Sequence, residues 1–131
     1  MTDPQALLAM MPFASSLGLE LDRATPQEVE GRLAWSPERC TGAGVMHGGA
    51  LMSLADSVGA VCAVLNLPPG ATTATVESKT NFFRPVRTGQ VRAISRPLHV
   101  GRTTIVVQTE LFDDADRRVA HTLQTQQVLP G

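Results

Sequence analysis

The sequence has no tyrosine, one tryptophan and four phenylalanines, so aromatics make up only 4% of its 131 residues. Its core must therefore be mainly aliphatic. Two cysteines, Cys40 and Cys62, are too few for a disulfide framework. Cys62 lies in an apolar stretch and reads as a buried thiol, which fits a reducing cytoplasm. No strong charge of either sign is present, the formal net charge being -1. That excludes nonspecific nucleic-acid binding, which needs many basic groups facing phosphates. No apolar run approaches the roughly 18 residues of a membrane span. The stretch Met1 to Ala9 carries Asp3 and Pro4 and lacks the basic start of a secretory signal, so the expected location is cytoplasmic.

Several familiar chemistries are also missing. The three histidines and two cysteines show no zinc spacing, and no metal is expected. No Gly-x-Ser-x-Gly elbow occurs. Gly42-Ala43-Gly44 is not completed as a dinucleotide fingerprint, because the sixth position is His47. Ser53, His47 and Asp56 lie along one helix and cannot converge as a triad.

What is present fits one soluble domain over residues 1–131, with 43% hydrophobic and 18% charged residues. Residues 4–11 read as a short helix ended by Pro12. Leu17, Leu19 and Leu21 alternate with polar or small residues, as do Val29, Gly31, Leu33 and Trp35. Thr25-Pro26 marks a turn between them, so a hairpin is expected over 17–35. A glycine-rich loop then leads into a helix over about 48–66, stopped by Pro68, Pro69 and Gly70. Four strands within 72–129, with short breaks, read as an antiparallel meander. The fold class is α+β, with one long helix on a curved sheet.

The central helix is unusual. Between Gly48 and Val76 the only charged residue is Asp56. At about 100° per residue, Leu51, Leu54, Ala55, Val58, Val61, Cys62 and Leu65 form one apolar stripe. Asp56 points away from it, among Met52, Gly59, Ala60 and Ala63. A helix that is apolar all round is usually buried. A second copy of the chain is the simplest cover for the second face, with Gly59, Ala60 and Ala63 permitting close approach. Asp56 is either a solvated surface acid or, at such an interface, a candidate base or nucleophile.

His47-Gly48-Gly49 stands at the start of this helix. The first helical turn leaves N–H groups without partners and carries partial positive charge. Such an end either simply begins a helix or polarises a carbonyl. His47 reads better as a loop-fixing group than as an acid or base. Gly48 and Asp56 are eight positions apart, roughly 12 Å along the axis. A reacting carbonyl must lie about 3 Å from its attacking group. Both residues can therefore serve one carbonyl only from different subunits, across antiparallel helices.

The run from His47 to Gly59 (His-Gly-Gly-Ala-Leu-Met-Ser-Leu-Ala-Asp-Ser-Val-Gly) resembles the signature of hotdog-fold thioesterases. The likeness is to the phenylacetate-degradation (PaaI-like) branch and to 4-hydroxybenzoyl-CoA and 1,4-dihydroxy-2-naphthoyl-CoA thioesterases. In these an acid follows the histidine by nine positions, as Asp56 follows His47. Asn81-Phe82-Phe83-Arg84-Pro85-Val86, Gly89 and Arg96 to Arg102 resemble the family's third and fourth strands. The resemblance implies a hotdog fold and hydrolysis of an acyl-CoA, aromatic or medium-chain. Asp56 would act as nucleophile or general base, and a partner's Gly48 N–H would polarise the carbonyl. It implies a homodimer as the minimal unit, with dimers pairing into a homotetramer, and no cofactor beyond the coenzyme A of the substrate. Many relatives carry Asn or Gln six positions before the histidine; here that position is Thr41.

Eight of the 11 basic residues fall between positions 79 and 118, against four acidic ones. That local excess suits the phosphates of coenzyme A. By resemblance, Gly49, Arg84, His99, Gly101 and Arg102 are the candidate binding residues. Two other readings stand beside hydrolysis: a non-catalytic acyl-CoA-binding or regulatory protein, and a dehydratase or hydratase on the same scaffold.

Overall fold

The computed structural model describes residues 3–131. Two short helices lead in, α1 (Pro4–Ala9) and α2 (Pro12–Leu17). The sequence suggests one helix over 4–11, with Pro12 as its stop. Instead, Pro12 opens α2, because a proline in the first helical turn forfeits only an N–H that has no partner there. α2 takes up Leu17 and ends at Gly18, whose φ of 91° is the left-handed form glycine adopts freely. The expected hairpin is therefore shorter, formed by β1 (Glu20–Ala24) and β2 (Val29–Ala34).

The long helix α3 spans Gly48–Val64. After it come β3 (Thr72–Phe82), β4 (Gln90–Val100), β5 (Thr104–Phe112) and β6 (Arg118–Leu129). The six strands make one antiparallel sheet in the order β1-β2-β4-β5-β6-β3. This corrects the four-strand meander. Only β4, β5 and β6 follow one another; β3 pairs with β6 and stands at the edge. The link 83–89 is too long for a tight hairpin and contains Pro85. Seven residues can reach about 25 Å. Crossing from β3 to β4 takes three strand spacings, roughly 14 Å.

α3 lies against the inner face of this sheet. Leu51, Leu54, Ala55, Val58, Val61 and Cys62 are buried with Val29, Leu33, Val91, Ala93, Ile105, Val107 and Leu111. The strands alternate as a sheet with one covered face must. Gly31 is part of the fit, since a Cβ there would stand 2.8 Å from Val58 Cγ2. The other face carries ion pairs, including Arg96–Glu28 at 2.6 Å and Arg118–Glu110 at 3.1 Å. No described helix is long and apolar enough to cross a membrane.

Two outcomes follow from this packing. Leu54→Ala is expected to lower unfolding free energy by about 2–5 kcal/mol, read from denaturant midpoints. Burial pushes the Cys62 thiol up to about 12, so it should resist thiol reagents in the native protein and react only after unfolding. Labelling of Cys62 at native rates would contradict that packing.

Candidate active site

The start of α3 is fixed by His47. Its backbone is extended, and its Nδ1 accepts the Gly49 N–H at 2.7 Å. Its own N–H donates to Arg39 O at 2.8 Å, and its carbonyl accepts from Ala50 and Leu51. His47 is thus the helix cap, and an Nδ1 that accepts leaves the proton of a neutral ring on Nε2. Gly49 sits so close that a Cβ would meet His47 Nδ1 at 2.9 Å.

Gly48 is the first residue of the helix. Among the described residues no acceptor meets its N–H. A Cβ on Gly48 would lie 3.2 Å from the Phe82 ring, so the end of β3 closes one side of this helix start. Beside it is a hollow of about 370 Å³, lined by Thr41, Gly48, Leu51, Phe82, Phe83 and Arg84 among others. Three of the sequence candidates therefore share one cavity: Thr41, Gly48 and Arg84. Thr41 binds through its backbone, its N–H donating to Val45 O at 2.8 Å.

Asp56 lies two turns further along and does not line that hollow. It is exposed in the single chain, in a stripe with Met52, Ala60 and Val64. Gly59 and Ala63, by contrast, are buried by the chain itself. The reading of those two as surface left open for a partner is corrected: the curled sheet reaches past that side of the helix. A Cβ on Gly59 would overlap Gln124 Oε1 and stand 3.3 Å from Thr109 Oγ1.

Gln124 is the residue that sequence reasoning missed. It is fully buried on β6, and its Nε2 donates to Asp56 Oδ1 at 2.7 Å. Its strand neighbours Thr122 and Gln126 are buried too. The signal was available: alternation from Ala120 to Val128 puts Gln124 on the covered face, where a polar side chain needs a partner.

Desolvation raises the Asp56 pKa, and the Gln124 hydrogen bond lowers it; the net direction is upward. Accessible surface and desolvation differ here because a water can touch the carboxylate while apolar groups still crowd it. Ser53 and Ser57 are engaged otherwise, their hydroxyls donating to Gly49 O and Ser53 O.

The remaining candidates lie elsewhere. His99 is the last residue but one of β4, and Gly101 and Arg102 lie in the turn into β5. A Cβ on Gly101 would meet His99 Nε2 at 2.7 Å, so this turn is closely packed. Through the register, Thr104 opposes Gln127, which opposes Ala74, whereas Phe82 is at the other end of β3. Eight residues of strand separate those levels, roughly 27 Å. One chain therefore does not bring Arg84 together with His99, Gly101 and Arg102. The basic excess also divides. Arg92, Arg96, Arg117 and Arg118 hold acidic partners in the chain. Among the described residues, Lys79, Arg84, Arg87 and Arg102 form no ion pair.

Comparison with known proteins fits this geometry. Residues 43–120, more than half of the chain, match the family model "Thioesterase superfamily". A Mycobacterium tuberculosis protein with an esterase designation is 31% identical over 120 residues, covering 89% of this chain and 86% of that one. The 1,4-dihydroxy-2-naphthoyl-CoA hydrolase of Escherichia coli is 38% identical over 74 residues, 56% of this chain and 54% of its own. A thioesterase from Haemophilus influenzae superposes with a TM-score of 0.93 at 25% identity, covering 99% of this chain and 92% of that one. A six-stranded antiparallel sheet around one long helix, a capped Gly-Gly helix start and this match agree: the chain belongs to the thioesterase superfamily and is a thioester hydrolase.

Proposed function

We propose that the protein hydrolyses an acyl-CoA, with an aromatic or medium-chain acyl group, at sites shared between two copies of the chain. Asp56 of one copy acts on the thioester carbonyl, and the partner subunit's Gly48 N–H polarises the carbonyl oxygen. The observation that carries this reading is a site split in two. An unpartnered N–H lies in a hollow, and an exposed carboxylate of raised pKa lies roughly 12 Å along the same straight helix.

The edge strand supplies the means of joining the halves. β3 has 11 residues, and only one of its sides is paired. Such an edge is a template for another strand. Val76, at 61% exposed, marks a bulge there. Phe82 packs on Gly48, while Ser78 opposes Gln124, the partner of Asp56. Placing position 82 opposite the partner's 78 puts a two-fold axis near Thr80. Four strand residues span roughly 13 Å, close to the helical separation of Gly48 and Asp56. The same axis carries the His99–Arg102 end of one copy towards the Arg84 end of the other. That supports phosphate binding by unpaired arginines of two chains.

The chemistry then balances in either of two ways. Asp56 attacks the carbonyl carbon, the C–S bond breaks, coenzyme A leaves as a thiolate that takes up a proton, and water hydrolyses the acyl-aspartyl anhydride. Alternatively Asp56 takes a proton from the water that attacks the carbonyl carbon, the C–S bond breaks, and that proton passes to the departing thiolate. In both, the Gly48 N–H stabilises the oxyanion. No cofactor enters this scheme. The acyl group has an apolar hollow of about 260 Å³ one turn beyond Asp56, lined by Met10, Met11, Ala60, Val61 and Val64 among others.

Asp56→Ala is expected to lower thioester turnover, followed as free thiol, by about 10²–10⁴-fold. Gly48→Val should also be inactive, since its side chain would fill the space against Phe82. A randomly reassorted equal mixture of these two inactive chains should recover about a quarter of wild-type activity, because about half of its dimers are heterodimers and each of those restores one of its two sites. No recovery from verified heterodimers would overturn the shared site. The raised Asp56 pKa sets a pH dependence. Activity requires the carboxylate, so kcat/KM should fall on acidification with its midpoint above the ordinary aspartate range of about 3.9. A midpoint at or below that range would contradict the assignment.

A further inference from the structure

Resting on that reading, we propose that Gln124 is a positioning residue for the reaction: its amide holds Asp56 Oδ1, leaving Oδ2 to face the thioester, and Gly59 exists to make room for that amide. Three observations carry this.

The first is the bond itself, from a fully buried amide to a carboxylate that no ion pair holds among the described residues. A carboxylate on an exposed helical stripe otherwise rotates freely about its side-chain bonds. One fixed oxygen defines the direction of the other.

The second is an unmet need. Gln124 Oε1 is buried and, among the described residues, has no partner. Native proteins rarely leave a buried acceptor so, and the exceptions call for a reason. Turning the amide over would set Oε1 against the carboxylate, acceptor against acceptor. The observed orientation is the one that an ionised Asp56 requires.

The third is the vacancy on the helix. Glycine is a poor helix former, and Gly59 sits deep inside α3. A Cβ there would overlap Gln124 Oε1. The helix gives up a side chain at the point where the amide sits.

No other group on the surrounding elements competes for this role. The inward residues of β2, β4, β5 and β6 are uncharged: Val29, Gly31 and Leu33, then Val91, Ala93 and Ser95, then Ile105, Val107, Thr109 and Leu111, then Thr122, Gln124 and Gln126. On β3, Thr80 points inward to Thr122, whereas Glu77 meets Thr125 on the opposite alternation, with Lys79 in step with it. Glu20 and Asp22 of β1 pair with Arg32, and Arg23 pairs with Glu28. Neither α1 nor α2 contains a charged residue, and Asp56 is the one charged residue of α3, which His47 caps. His121 faces Gln108.

The test uses two variants that remove the same bond from opposite sides, Gln124→Met and Gly59→Ala. The intact protein is titrated by carbon-13 NMR of its aspartate carboxyls, and turnover of an acyl-CoA is followed against pH. Loss of the amide should move the Asp56 titration and the acidic limb of kcat/KM to higher pH. It should also lower kcat on the order of ten- to a hundredfold, with KM little changed. Both variants giving wild-type titration and wild-type kcat while folded would overturn the role of Gln124. A purely structural residue would lower thermal stability without moving the pH limb, and that result also counts against it. Turnover that survives Asp56→Ala instead removes the reading beneath, whatever the titrations show.

Discussion

A helix cannot fold back on itself, and that constraint organises everything else about the site. The N–H of Gly48 and the carboxylate of Asp56 ride on one rigid rod, two turns apart. Each is well prepared alone. His47 caps the rod and fixes the first N–H groups in space. Gln124 pins one oxygen of the acid. Neither half reaches the other within a chain, so the proposed reaction calls for α3 to meet its own copy in the opposite direction. The long, half-paired β3 gives such a meeting a register, and Phe82 and Ser78 mark the two levels that must align.

The same region gathers features that cost stability. Asp56 has a raised pKa in the folded protein. Such an acid binds its proton more tightly folded than unfolded. Its destabilising effect is therefore present above the folded pKa and absent below the unfolded one. Gln124 adds a buried oxygen without a partner, and Gly59 weakens the helix at its middle. These three departures from good packing touch one another. Away from them the core is ordinary: aliphatic side chains on alternating strands under a continuous helical stripe.

Much of this was legible in the residues. The isolation of Asp56 in an apolar helix follows from counting charges, and its separation of roughly 12 Å from Gly48 follows from helix geometry alone. What escaped was whatever depended on the path of the sheet. Pro12 is a stop or a start depending on which neighbour supplies the next turn. The place of β3 at the edge is decided by the reach of 83–89, not by its own composition. Gly59 and Ala63 share the angular face of Asp56, yet the chain itself buries both, Gly59 under Gln124 of β6. The candidate arginines look alike in sequence. Only the pairing of Arg92, Arg96, Arg117 and Arg118 with acids separates them from Arg84 and Arg102.

The most direct test is a crystal structure with a thioether or ketone analogue of an acyl-CoA, which binds but cannot be cleaved. In a shared site the carbonyl oxygen of the ketone analogue lies within hydrogen-bond distance of Gly48 N–H from one subunit. The free oxygen of Asp56 must then come from the other subunit, across a two-fold axis near Thr80. An analogue bound by Gly48 and Asp56 of a single chain, or bound with Asp56 turned to solvent, would contradict it.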